Sequence, residues 1–202
     1  MGFIIFEYEL ELCWVVRVNL KDEKTREELL SIARRSLESI HSTHSEMIDP
    51  PLKEKFSERS GAFTTIKSEG RLRGCIGFIE PIYPLWEAIW KSAQYAATDD
   101  PRFNPMTREE IAKAEIELTI LGKLIPLPLN DRLQLSSVTI GKHGLVVRRG
   151  YQSGLLLPQV AVEMSLTKEE FLKETAIKAG VNPRYLSDGQ TEIYYFEGEV
   201  IN

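Results

Sequence analysis

Along this chain, stretches in which apolar residues fall on every second position alternate with stretches in which they recur every three or four, so strands and helices are mixed. In residues 7–18, Tyr8, Leu10, Leu12, Trp14, Val16 and Val18 occupy one side of an extended chain, with Glu7, Glu9, Glu11 and Arg17 on the other. That alternation predicts a half-buried strand within the first twenty residues. The acids interrupt the apolar run and no basic leader or small-residue cleavage site accompanies it, so neither a signal peptide nor a membrane span is expected.

Leu29, Leu30, Ile32, Ala33 and Leu37 then recur at helical spacing behind Thr25 and Glu28, a capping-box pair, which predicts a helix of about five turns. Residues 41–61, rich in Ser, Pro and charge, read as a loop with one short helical turn. Ala62–Lys67 and Arg71–Phe78 form a predicted hairpin around Ser68-Glu69-Gly70, a three-residue loop with Gly70 left-handed. Leu85–Thr98 carries Trp86, Ile89, Trp90, Ala93 and Ala97 on one helical face, which marks both tryptophans as core, and the turn DDPRFNP ends it.

A second capping box, Thr107 with Glu110, precedes a short helix, and EIELTIL alternates as a strand. Val138–Ile140 and Leu145–Arg149 read as strands around the turn Gly141–Gly144, and Gly150–Gly154 reads as another turn. Thr167 with Glu170 caps a helix over Phe171–Ala179 closed by Gly180, and TEIYYFEGEV is a last strand. The hairpin connections are too short for βαβ crossovers, so the class expected is α+β on antiparallel sheet.

Composition narrows the function classes. With 202 residues, 43% hydrophobic and 27% charged, the chain is expected to fold as one compact unit, of one lobe or two, rather than as several domains. A formal charge of −5 disfavours general nucleic-acid binding, so any anion site must be local. Cys13 and Cys75 are the two cysteines and His41, His44 and His143 the three histidines. These make neither a disulfide framework nor a structural zinc site, and a reducing cytoplasm is the expected location. The cluster His41, His44, Glu46 and Asp49 reads as a solvated helix end, with no metal expected and no cofactor implied.

Chemistry concentrates in GRLRGCIG, Gly70–Gly77. In a regular hairpin with the three-residue loop, Lys67 faces Arg71, Thr65 faces Arg73 and Phe63 faces Cys75, unless a bulge slips the register by one. Arg73 and Cys75 then share a face, and a neighbouring guanidinium favours the nucleophilic thiolate over a thiol whose free pKa is about 8.5. Gly74 and Gly77 let a backbone or a ligand approach. The bland alternative makes Cys75 a small apolar residue of a core strand. The glycine spacing fits no dinucleotide fingerprint, and the formal GxxG match to KH domains sits in an apolar strand rather than between helices.

LRGCIG, followed by PIYPL, DDPRFNP, HGL and GLLLPQVAVE, resembles the AMMECR family, named after a human disorder with Alport syndrome, midface hypoplasia and elliptocytosis. The resemblance runs from about Leu29 to near the C-terminus and leaves out the first twenty or so residues; Val181–Tyr185 lacks a tryptophan often found there. It implies two unequal lobes, each an antiparallel sheet with flanking helices, the larger holding both chain ends and LRGCIG pointing to the cleft between them. No activity is established for that family, and some members are tied by gene neighbourhood or fusion to Memo-type proteins and radical-SAM enzymes.

Carried onto this chain, the resemblance marks Arg73, Gly74 and Cys75, Asp100, Arg102 and Phe103 of DPRF, His143 of HGL, and Pro158 and Gln159. Each has a plainer reading: Asp100 as a turn residue paired with Arg102, His143 as an exposed hairpin tip, Gln159 as an amide satisfying backbone. Two functions follow. One is a thiol-dependent enzyme with Cys75 as nucleophile or redox thiol, His143 as acid/base, and Arg73, Gly74, Asp100, Arg102 and Gln159 binding the ligand. The other is a non-catalytic module gripping a small anionic ligand, a peptide, or a Memo-type or radical-SAM partner.

Overall fold

The computed structural model describes residues 18–42, 48–132 and 134–202. The expected N-terminal strand, Cys13, His44 and Glu46 lie outside the described residues, apart from Val18 at the strand's end. Helix α1 (Glu23–Ser39) starts where Asp22 accepts the N–H of Thr25 at 2.9 Å and its hydroxyl at 2.8 Å. The cap is therefore Asp22, not Thr25, because the aspartate three residues earlier reaches the orphan donor first. A six-residue helix α2 (Pro50–Lys55) follows, opened by proline.

Strands β1 (Ala62–Ser68) and β2 (Arg71–Phe78) make the first hairpin. Its loop is two residues, not three: Glu69 and Gly70 both have positive φ, 52° and 71°, as a type I′ connection requires. Next come α3 (Leu85–Thr98), α4 (Arg108–Lys113) with its capping box formed, β3 (Glu115–Leu121) and the short β4 (Ile125–Pro126). Val138–Ile140 is irregular and runs into a turn rather than forming a strand, and β5 (His143–Arg149) begins at the histidine. The turn that follows is only Gly150-Tyr151, so β6 (Gln152–Leu156) starts earlier than Gly154. Helices α5 (Pro158–Glu163) and α6 (Lys168–Lys178), the latter capped by Thr167 and Glu170, precede the last strand, β7 (Glu192–Ile201).

All pairings are antiparallel and the order is β2-β1-β3-β7-β5-β6, with β4 also on β7. The ten-residue β7 holds the two unequal lobes together: residues 198–201 pair with β3 and residues 192–197 with β5. In the first lobe, α1, α3 and α4 cover one face of β1–β3, burying Leu29, Ile32, Leu37, Ile66, Ile89 and Leu118. Val18 and Ile201 pack into this same core, and Trp86 and Trp90 are half-buried against it. In the second lobe, α6 covers β5 and β6 through Leu145, Val147, Phe171 and Ala176.

The sheet curls, so its other face is turned inward. There Leu121, Val146, Leu155 and Phe196 meet, flanked by Phe63, Ile79 and Val160. Gly144 allows this: a Cβ on it would lie 2.3 Å from the Phe196 ring. No helix among the described residues is long and apolar enough to cross a membrane.

Candidate functional site

The LRGCIG strand is an edge strand with a bulge. Its register with β1 slips between Ile66 and Lys67, so Ile66 pairs with Gly74 and Lys67 with Leu72, leaving Arg73 as the extra residue. Cys75 consequently faces Thr65 rather than Phe63, and Phe63 faces Gly77. Ile66 points into the helix-covered core, so Thr65 and its cross-strand neighbours Cys75 and Glu117 point to the inward face.

The bulge sends Arg73 elsewhere. Its Nε and Nη2 donate to the Glu110 carboxylate at 2.9 and 3.3 Å, and its guanidinium lies 5.7 Å from the Phe103 ring centroid. Glu110 also closes the α4 capping box, and the Arg73 hydrogen bonds hold its pKa below the usual range. Arg73 is thus committed to anchoring α4, with Nη1 buried and unpartnered. The expectation that it serves the Cys75 sulfur is not met by these contacts.

The half-buried sulfur accepts instead from the Thr65 hydroxyl at 3.4 Å. The N–H of Cys75 donates to Asp100 Oδ2 at 2.9 Å. Asp100, 4% exposed, also takes the Arg102 N–H at 3.1 Å and the Arg102 fork, Nε at 2.9 Å and Nη2 at 2.7 Å. The Arg102 hydrogen bonds, assisted by the two backbone N–H groups and opposed by burial, bring its carboxyl down to about 2. The DPRF turn is therefore a clamp on the open edge of β2. The Asp100 side chain is buried, while the Arg102 side chain stays 53% exposed.

The two glycines answer to packing. A Cβ on Gly74 would stand 2.0 Å from the Ala96 carbonyl oxygen of α3, and one on Gly77 would stand 2.3 Å from the Phe63 ring. Close helix and side-chain approach, not room for a ligand, is what fixes glycine at both positions.

Lysines complete the electrostatics. Lys178, in the last turn of α6, comes from the second lobe, and its charge interacts with both Cys75 and Arg102. Lys178 is exposed; desolvation, opposed by Cys75 and assisted by Arg102, lowers its pKa. Lys67 donates to Glu117 at 3.0 Å, and that hydrogen bond raises its pKa, helped by Glu163 at the end of α5. Sequence reasoning missed Lys178. Its only signal was a cation in the last turn of a helix, which the helix dipole explains equally well.

His143 stands on the opposite face of the curled sheet from the thiol. His143 is buried, not an exposed tip, and shares the α6-facing side of β5 with Leu145 and Val147. Its Nδ1 accepts the Thr139 N–H at 3.0 Å, its ring lies 5.1 Å from that of Tyr195, and Nε2 is 3.9 Å from Glu197. Burial, then Lys142, lowers its pKa. None of these neighbours belongs to the Cys75 surroundings, so the two expected catalytic groups are not brought together. Pro158 packs across the inner face near Gly198 and Thr119, and beside it Gln159 Oε1 is buried without a partner, as is the Thr119 hydroxyl.

A profile of the AMMECR1 family matches residues 30–201, nearly the whole chain. The chain belongs to the AMMECR1 family. A Nanoarchaeum equitans protein is 42% identical over 174 residues, 85% of this chain and 97% of its own. One from Aquifex aeolicus is 46% identical over 151 residues, 74% of this chain and 77% of its own. The crystal structure of an uncharacterised Pyrococcus horikoshii protein superposes with a TM-score of 0.77 at 38% identity, covering 85% of this chain and 88% of that one. Every residue of the Cys75 surroundings falls within the AMMECR1 match, whereas the first twenty residues precede it. Among the described residues of this AMMECR1 chain, no group of three His, Cys, Asp or Glu side chains is placed to hold a metal ion.

Proposed function

We propose that the chain is a thiol-dependent enzyme acting on a small anionic substrate between the lobes, with Cys75 as nucleophile. The observation that carries this reading is a half-buried sulfur on the inward face that accepts from the Thr65 hydroxyl, beside a backbone N–H clamped by Asp100 and Arg102. Donors and positive charge stabilise a thiolate over a thiol. Lys178 of the second lobe, within electrostatic range of the sulfur, is the cation to test for the proton-exchange task expected of His143 from the sequence. Arg102, locked on one side to Asp100, leaves its outer edge in solvent to orient a carboxylate or phosphate. A reducing cytoplasm suits a thiol used in this way.

The test is the rate of Cys75 alkylation by iodoacetamide at neutral pH in a Cys13→Ser background. Lys178→Met is expected to slow it several-fold, and Cys75→Ser to abolish it. Alkylation that proceeds only on unfolding, or is indifferent to Lys178, would falsify the enzyme reading.

A second reading rests on the locked state of the acids and bases here. Among the described residues Asp100 is committed to Arg102, Glu110 to Arg73 and Glu117 to Lys67, so these carboxylates are paired rather than ready as a general base. The same cleft then serves a non-catalytic module that binds a peptide, or a Memo-type or radical-SAM partner as the family resemblance suggests. Recovery of such a partner by the Cys75→Ser protein as efficiently as by the unaltered chain would favour it.

A further inference from the structure

Past Gly77 the inward face of the LRGCIG strand runs on to Ile79, four residues and about 13 Å beyond Cys75 along an extended chain. A separate cavity of about 240 Å³ opens there, between the end of that strand and the second lobe. Its floor is apolar: Leu121 is 3% exposed, Ile79 and Leu124 are half-buried, and all three belong to the inner-face cluster. Gly61 brings the backbone close, since a Cβ there would meet the Ile79 and Phe78 carbonyls at 2.7 and 2.8 Å. The Ser60 hydroxyl, 3% exposed, is spent on the Leu121 and Gly61 carbonyls, so it stiffens the wall without offering a free donor.

The rim is cationic. Arg148 pairs with Glu80 and lies over the Tyr194 ring at 5.0 Å, so that guanidinium is neutralised and held flat against one wall. Arg59 donates Nη1 to the Ile82 carbonyl, and neither Arg59 nor Lys123 has a carboxylate partner among the described residues. Both are exposed at the mouth. Arg59, Lys123 and Arg148 against Glu80, and against Glu192 held by the Tyr194 hydroxyl, leave a net positive charge above an apolar floor. Glu80 disfavours a dianion, and the floor disfavours a fully hydrated phosphate. An apolar body ending in a single carboxylate satisfies both parts.

We propose that this groove is a second binding site, distinct from the Cys75 cleft, for a small amphipathic monocarboxylate. The apolar part lies on Ile79, Leu121 and Leu124, and the carboxylate is held by Lys123 and Arg59 at the mouth. Tyr194 closes one side and keeps Arg148 in place.

The probes are benzoate and hexanoate, titrated into the full chain labelled at Ile and Leu methyl groups, with benzyl alcohol and hexanol as neutral controls. Saturable millimolar shifts at Ile79, Leu121 and Leu124 are expected, with the alcohols at least about tenfold weaker. The double variant Lys123→Glu with Arg59→Met, both exposed positions, is expected to lose the carboxylate preference, and Cys75→Ser to leave it intact. Equal binding of acid and alcohol, insensitivity to the double variant, shifts centred on Thr65 instead, or no shift at all would each overturn the assignment.

Discussion

Replacing Asp100 by Asn tests the clamp that holds the LRGCIG edge. The wild-type carboxylate is nearly fully buried and accepts four N–H groups, two of them from the Arg102 guanidinium. A carboxyl that ionises at about 2 instead of 3.8 stabilises the fold by about 2 kcal/mol at neutral pH, at about 1.4 kcal/mol per pH unit. Because the Arg102 side chain is 53% exposed, solvent screens part of this, leaving about 1–2 kcal/mol from charge. Asn also turns an amide toward donors and leaves buried N–H groups short of an acceptor, which costs about 1 kcal/mol more.

The expected loss at pH 7 is therefore about 2–3 kcal/mol, read as a lower urea midpoint with an unchanged slope. The sign of the pH dependence follows from a pKa depressed in the folded state. The stabilisation is complete above the unfolded value near 4 and is lost as pH falls toward 2, with close to half of the charge contribution gone at about pH 3. The gap between wild type and Asp100→Asn must narrow over that window by the charge contribution. A difference below about 0.5 kcal/mol at pH 7, or one that stays constant down to pH 3, would refute the clamp as an ionic device.

Two further outcomes follow from the same coordinates. Gly74→Ala places a methyl group 2.0 Å from the Ala96 carbonyl oxygen, backbone that cannot turn aside; a loss of about 3 kcal/mol or more is expected, and wild-type thermal stability would contradict the close approach of α3. His143, buried and with its pKa lowered from 6.5, should titrate below 6.5 by NMR, and the stability it contributes should be full above 6.5 and fall as the solution is acidified below that value. His143→Asn keeps an acceptor for the Thr139 N–H, so a flattened pH dependence between about 7 and 5 is the expected result; a wild-type slope in this variant would count against the assignment.

What the sequence made legible was local. The boxes at Thr107–Glu110 and Thr167–Glu170 form as read because both partners lie within one turn. At Thr25–Glu28 the same pattern yields to Asp22, and Glu28 pairs with Lys55 across the fold. The hairpin was legible but not its register, since one residue in the left-handed region at Glu69 shortens the loop and the bulge at Ile66/Lys67 then moves Cys75 from Phe63 to Thr65. Arg73 lost its expected partner for a long-range reason: Glu110, thirty-seven residues on, takes the guanidinium first. Lys178 is equally long-range, its electrostatic influence on Cys75 reaching from α6 of the second lobe.

These departures share a physical cause. A strand at the edge of a sheet presents unpaired N–H groups that invite another chain, and natural folds blunt such edges with charge, bulges or covering loops. Strand β2 is an edge, and it carries a bulge at Arg73 and a buried carboxylate on the Cys75 N–H. Arg73 tethers α4 to the strand, and Asp100 with Arg102 seals the residue next to it. The two arginines nearest the sulfur thus hold an exposed thiol-bearing edge in a single register. On the proposed enzyme reading, chemistry at the sulfur would fall to groups that arrive from elsewhere, Thr65 across the hairpin and Lys178 from the second lobe. If the lobes separated, Thr65 would stay with Cys75 and Lys178 would leave, so thiol reactivity is expected to report lobe closure through Lys178 alone.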